Sequence, residues 1–249
     1  MLNRLTDRAL IRERLNLDRE WSLYALADLE DSLFPLCDWY TLPGEDSLAL
    51  VFRGISITPI VVWGPARGLL SAIPVSRGYL NLQCAQEPAA AGLWRFGERH
   101  VMHRMFLEDF QPAPAASEIL TSVHLQEIGR LYATGTGGGI AFAPAQLETG
   151  FFRGIRRGGE LVAVAGVHVV SHAESVAAVG NIFTRPDCRG QGLARAVTSA
   201  AVSALLESGI RTVGLNVETN NLPAIRSYTR LGFRTHLTYV EGPAARTVS

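Results

Sequence analysis

The chain has 249 residues, 47% of them hydrophobic and 18% charged, which supplies ample apolar material for a core and excludes wholesale disorder. At about 100–150 residues per domain the length suits two small domains. Its 23 Lys and Arg balance 23 Asp and Glu, so it lacks the basic excess that nucleic-acid binding by bulk charge requires, and no nucleic-acid partner is expected.

In the first half, Asp18 is placed to cap a helix in which Trp21, Tyr24, Ala25 and Leu29 share a face. Leu48 to Phe52 and Ile60 to Trp63 read as strands, and Gly64-Pro65 ends the second and opens a short helix holding Leu69 and Leu70. Tyr79 to Cys84 and Val101 to Leu107 read as two more strands. His100 and His103 are three apart, a spacing that suits a helical pair better than a strand pair, and they match no metal-ligand pattern. No metal is expected. Glu108 to Ser117, EDFQPAPAAS, has a linker composition and separates a first domain, 1–112, from a second, 117–249.

The second half is clearer. Leu125, Ile128 and Tyr132 have helical spacing. The run Gly135-Thr136-Gly137-Gly138-Gly139 lacks the Lys and Ser/Thr of a phosphate-binding P-loop and reads as a mobile loop. Phe151 to Ile155, Glu160 to Val170 and Val176 to Thr184 read as strands, the first two joined at Gly158-Gly159. Leu193, Val197, Ala201 and Leu205 mark one apolar face of a helix over Gly192 to Ser208, with Gly209 as its cap. Arg211 to Val217 alternates as a strand, Asn221 begins a last helix that stops at Gly232, and Phe233 to Val240 is the last strand. The order predicts an α/β fold with a mixed, mostly antiparallel sheet flanked by helices.

Cys37, Cys84 and Cys188 are odd in number and scattered, so neither a disulfide framework nor a zinc site follows. A reduced, cytoplasmic setting is the simplest expectation. The start, MLNRLTDRALIRERL, is charged throughout, unlike a signal peptide, and no run reaches the roughly 20 apolar residues of a membrane span. No membrane partner is expected.

The chemistry concentrates where the strand ending Ile182-Phe183-Thr184 turns through Arg185-Pro186-Asp187-Cys188-Arg189-Gly190-Gln191-Gly192 into the helix at Leu193-Ala194. Amides of a helix's first turn lack internal partners and carry the positive end of the peptide dipoles. Glycines let an anion approach the backbone, and Arg189 adds a full charge. The physical reading is a pyrophosphate cradle. Arg195 stands where a dinucleotide fingerprint needs its third glycine, and the GK[ST] of a P-loop is absent.

Arg189-x-x-Gly192-x-Ala194 resembles the signature loop of the GNAT acyltransferase superfamily, and Asn221-x-x-Ala224-Ile225-x-x-Tyr228-x-x-Leu231-Gly232-Phe233 resembles its second signature. The resemblance covers roughly Ser117 to Gly242. The first half resembles the same fold only topologically, as a degenerate GNAT-like copy that has lost the cradle; tandem proteins of the glycine N-acyltransferase-like branch are similar in outline.

The resemblance implies that acetyl-CoA is the acyl donor. Its pantetheine arm would run along Ile182, Phe183 and Thr184, its pyrophosphate would sit on Arg189, Gly190, Gln191, Gly192, Leu193 and Ala194, and a backbone N–H near Phe183 or Thr184 would face the thioester oxygen. Tyr228 matches the tyrosine that protonates the leaving thiolate, and a core tyrosine is the alternative. Asn221 caps the last helix and in the family also approaches the coenzyme arm; Ser227 is a further contact or a surface serine. Many relatives carry a base on the strand before the cradle, but Ala177 to Asn181 contains no acid. Glu218, His168 and Glu148 remain, and Glu218 is preferred. Cys188 flanks the pyrophosphate position and reads as a bystander. The expected activity is N-acetyl transfer to a small amine or amino acid; a non-catalytic acyl-CoA-binding or scaffold protein, or a protein N-acetyltransferase, are the alternatives. A monomer and a homodimer are both compatible with the sequence.

Overall fold

The computed structural model describes residues 1–113, 116–136, 139 and 141–247. Pro114 and Ala115 of the expected linker, and Gly137 and Gly138 of the glycine run, lie outside the described residues. The chain forms two compact units, Met1–Arg104 with His236–Ser249, and Met105–Thr235. The sequence division at 113–116 cuts the chain once, whereas the final fourteen residues group with the first unit.

The first unit contains β1 (Asn3–Leu5), α1 (Arg8–Leu15), α2 (Leu23–Ala27), β2 (Cys37–Thr41), β3 (Leu48–Phe52), β4 (Pro59–Trp63), α3 (Ala66–Ala72), β5 (Arg77–Gln83), α4 (Glu87–Ala90) and β6 (Trp94–Phe96). β7 (His100–Leu107) then leads out of it. Asp7 starts α1, its carboxylate accepting from the N–H groups of Ala9 at 2.9 Å and Leu10 at 3.2 Å. Asp18 accepts from Trp21 N–H at 3.1 Å in the turn before α2, but the cap of α2 is Ser22, not the Asp18 that the sequence suggested. β2, β3 and β4 are antiparallel neighbours, and β5 pairs with β4 in parallel over Pro59↔Tyr79 to Val61↔Asn81. Leu69, Leu70 and Ile73 of the α3 region bury against Ile60, Val62, Leu80 and Leu82. Each such side chain contributes about 1.5–3 kcal/mol by leaving water. His100 and His103 lie on strand β7, not on a helix; the β-rich run Val101 to Leu107 overrides their helical spacing. His103 Nδ1 lies 3.0 Å from Thr238 Oγ1.

The second unit contains β8 (Glu118–Ile119), α5 (Leu125–Tyr132), β9 (Arg153–Arg157), β10 (Glu160–Ser171), β11 (Val176–Thr184), α6 (Leu193–Glu207), β12 (Thr212–Glu218) and α7 (Leu222–Thr229), followed by β13 (Phe233–Arg246), which runs back into the first unit. The strands stand in the order β8-β9-β10-β11-β12, antiparallel except for β11 and β12. Gly158 and Gly159, at φ +56° and +85°, make the β9–β10 turn. β10 turns Val162, Ala163 and Ala165 toward Leu193, Val197 and Ala201 of α6. It gives Leu161, Val164 and Val167 to the larger core that holds Ile128 and Leu131 of α5 and Tyr228 of α7.

The two units repeat one motif. β3-β4-α3-β5 has the same order as β10-β11-α6-β12, an antiparallel pair, a helix and a parallel strand, and both parallel pairings stop after three residue pairs. The turns before the helices differ. A Cβ at Gly64 would collide with the Asp46 carbonyl, so backbone fills the first unit's turn. Cβ atoms at Gly190 and Gly192 would meet nothing within 4 Å. The first unit therefore keeps the topology without the open helix mouth.

Candidate active site

The site begins where two strands part. β11 and β12 pair only over Val176↔Thr212, Ala177↔Val213 and Ala178↔Gly214, yet β11 continues to Thr184 and β12 to Glu218. One edge of β11 past Ala178 is therefore uncovered by β12. Arg185 N–H donates to Val162 of β10 at 2.9 Å. Successive residues of a strand point their amides to opposite sides, so Thr184 turns its N–H and C=O away from β10. Its carbonyl accepts from Arg189 Nε at 3.2 Å. Phe183 pairs with Val164 and is buried, and half-buried Ile182 touches the core.

A bulge shapes this edge. Between Val164↔Phe183 and Gly166↔Gly180, Asn181 and Ile182 together oppose one residue of β10. Asn181 takes φ +54°, a region in which Asn is tolerated better than most side chains. Tyr132 Oη donates to the Asn181 carbonyl at 2.9 Å, and Asn181 Nδ2 donates to Gln146 Oε1 at 3.0 Å. Sequence reasoning missed Tyr132, Gln146 and Asn181 as a unit; a lone Asn inside the apolar run Val176 to Phe183 was the available signal. His168 is the extra residue of a second bulge, on β10. Its ring lies against Gly180, where a Cβ would collide with it.

Beyond Thr184 the turn is pinned by charge. Arg185 bonds Asp187 at 2.7 Å and Glu160 at 2.6 Å, and the guanidinium holds the Asp187 carboxyl below its ordinary range. Gly190 and Gly192 take φ +76° and +77°, which only glycine adopts freely. Gly192 caps α6 without a side chain, and its carbonyl accepts from Ala196 N–H at 3.0 Å. The N–H groups of Leu193, Ala194 and Arg195 in the first turn thus have no partner within the helix. Gln191 is held by Arg157. The Arg189 guanidinium lies 5.7 Å from the Phe183 ring centre, and a Cβ at Gly135 would touch Phe183, Pro186 and Arg189. The glycine run therefore adjoins the turn at Gly135. This mouth can receive an anion on backbone amides beside one fixed cation.

The remaining sequence candidates divide. Glu218 ends the diverging half of β12 and is half-buried. Asn221 caps α7, its side chain accepting from Ala224 N–H at 3.3 Å. Ser227 donates to the Pro223 carbonyl at 3.0 Å, an ordinary helical back-bond. Tyr228 is 7% exposed, its ring edge-on to Phe233 at 6.2 Å. Burial pushes its phenol well above the ordinary value, and its hydroxyl makes no hydrogen bond among the described residues. Glu148 is exposed in the turn before β9, and Cys188 is buried against α6. Cys37, Cys84 and Cys188 are all free thiols.

The mixed sheet, whose parallel strands β11 and β12 part beside an open helix mouth, is shared with solved structures of the GNAT fold. Residues 124–233, 110 of the chain's 249, match the model of the Acetyltransferase (GNAT) family. Among curated relatives, the mycothiol acetyltransferase of Actinosynnema mirum is 47% identical over 62 residues, which are 25% of this chain and 21% of that protein. The enzyme of that name from Streptomyces bingchenggensis is 37% identical over 91 residues, 36% of this chain and 28% of that protein. These matches thus span only about a fifth to just over a quarter of the relatives' length. A GNAT-family acetyltransferase from Novosphingobium aromaticivorans shares the fold with a TM-score of 0.62 at 20% identity, covering 93% of this chain and 100% of that one. A tandem GNAT protein from the clavulanic acid biosynthesis pathway does so with a TM-score of 0.58 at 16% identity, covering 100% and 99%.

Proposed function

We propose that this protein transfers an acetyl group from acetyl-CoA to the primary amine of a small molecule, by direct attack within a ternary complex. The observation that carries this reading is the run of an uncovered strand edge, Ile182 to Thr184, into an open helix mouth, Arg189 to Ala194. An extended, amide-bearing arm suits such an edge. A diphosphate suits the mouth, whose glycines leave the space free. The residues present therefore fit coenzyme A. The names of the curated relatives favour a small acceptor over a protein one.

When bound, the coenzyme supplies a thioester carbonyl and a thiol leaving group. The Thr184 N–H is assigned to the carbonyl oxygen, where negative charge develops. The acceptor arrives as an ammonium with pKa near about 10 and must lose a proton. Glu218, at the far side of the strand gap, is assigned that proton, directly or through water. Tyr228 is assigned to protonate the departing sulfur; burial keeps its phenol protonated until then.

The test is incubation with acetyl-CoA and a panel of small amines, following thiol release, with calorimetry for coenzyme A alone. Amine-dependent release is expected, together with coenzyme binding. Binding without release for any amine would favour a scaffold. No heat with millimolar coenzyme A would remove the reading altogether. The setting in the cell is proposed to be the cytoplasm, in keeping with three free thiols; among the described residues no helix is long and apolar enough to cross a membrane.

A further inference from the structure

The first unit carries an open cleft of about 480 Å³ at the end of its sheet where β5, β13 and β6 lie side by side. β13 is the middle strand. Ala245 on it pairs with Arg77 of β5 on one flank and with Arg95 of β6 on the other. Residues directly opposite in antiparallel strands share a face, so Arg77, Ala245 and Arg95 form one row. The two arginines stand two strand spacings apart, roughly 9–10 Å at the backbone, with only a methyl group between them. The next row, Tyr79 against Pro243, continues the same face. This face looks away from α3. Ala244 is buried, and Arg246 reaches the carbonyls of Ser71 and Ile73 beside α3 on the inner side, whereas Pro243, Arg77 and Arg95 are exposed.

Arg77 and Arg95 put two like charges on one face with a single strand between them, and these repel. Arg77 and Arg95 make no side-chain hydrogen bond or ion pair among the described residues, and every other arginine of the unit has a partner. No acid lines the cleft, although the chain as a whole is neutral. The walls add hydroxyls from Ser56 and Thr58 and apolar surface from Ile57 and Tyr79.

We propose that this trough binds a phosphate monoester bearing a ring or a short apolar body. Guanidinium groups match phosphate geometry with paired N–H donors. The two charges answer the ester's charge of about −1.5 to −2 near neutral pH, and the apolar walls take its body. The site belongs to the first unit alone and does not depend on acetyl transfer.

The experiment titrates the isotope-labelled full chain with phenyl phosphate at low ionic strength, following backbone amides by NMR. Shifts are expected at Gly97 and Ala245. Arg77→Gln and Arg95→Gln should each weaken that binding at least five-fold, and the double variant should abolish it. Phenylacetate, with one charge fewer, should bind at least five-fold more weakly. Both side chains are exposed, so the variants should melt with the parent, and Arg77→Lys should recover only part of the affinity because it keeps charge without the fork. Shifts confined to residues 181–195, no shift at 10 mM, or a double variant that titrates like the parent would each overturn the proposal.

Discussion

The Tyr132 hydroxyl donates to the carbonyl of Asn181 at 2.9 Å, and so ties α5 to the one residue of β11 held at positive φ. Backbone in that region costs on the order of 1–3 kcal/mol and persists only where neighbours fix it. The bulge it creates sets the course of the strand that ends at Thr184. Tyr132→Phe keeps the ring contacts to Phe142 and Phe183 and removes only this donor. We expect a stability loss of about 1 kcal/mol, with amine-dependent thiol release falling about ten-fold because the Thr184 amide loses its aim. Denaturant melts and steady-state rates measure the two effects. A variant with parental rates would mean that the bulge holds itself.

His168 and Gly180 make a second fixed point between the same strands. The imidazole occupies the space where any Cβ at Gly180 would lie. Gly180→Ala should therefore destabilise the fold by about 1–3 kcal/mol, the usual range for overpacking. Removing the ring should remove most of the clash. In a double-mutant cycle with His168→Ala the coupling is expected to be favourable by at least 1 kcal/mol. Strict additivity in urea denaturation would mean that the ring swings clear.

Much of this architecture was legible beforehand, for physical reasons. Val176 to Thr184 reads as a strand and is one, because continuous apolar runs flanked by turn residues have few other uses. Leu193, Val197, Ala201 and Leu205 are all buried as their spacing requires. The turn from Arg189 to Ala194 was visible because glycine positions announce backbone geometry directly. The Tyr132–Asn181–Gln146 linkage was not visible, since it joins residues up to 49 apart and depends on a register shift that no local pattern encodes. Arg77 and Arg95 were likewise unremarkable in sequence; only the pairing of both with Ala245 puts them in one row. The early helix α1 was overlooked although Asp7, Ile11 and Leu15 carry its cap and its buried face.

Tyr228→Phe separates chemistry from folding at the candidate site. The ring is buried against Phe233, while the hydroxyl has no partner among the described residues. Deleting that oxygen should leave the melting temperature within a few degrees, since no hydrogen bond is lost. Coenzyme A affinity should change less than two-fold. Turnover at saturating substrates should fall about a hundred-fold, the low end of what a positioned acid contributes. Parental turnover would return Tyr228 to a purely packing role.

Asp28 gives the first unit a pH dependence of unusual sign. It is 9% exposed, and burial raises its carboxyl from 3.8 to about 7. The folded chain therefore keeps a proton between roughly pH 4 and 7 that the unfolded chain releases. With more protons bound to the folded state, stability falls as pH rises through that window and is level above it. At 1.36 kcal/mol per unit, the loss between pH 5 and pH 8 is about 2–3 kcal/mol. Asp28→Asn, which cannot ionise, should escape this loss. Urea denaturation at the two pH values should find the variant's advantage over the parent larger at pH 8 than at pH 5 by about that amount. Parallel pH profiles for the two proteins would mean that Asp28 ionises at its ordinary value in the folded chain.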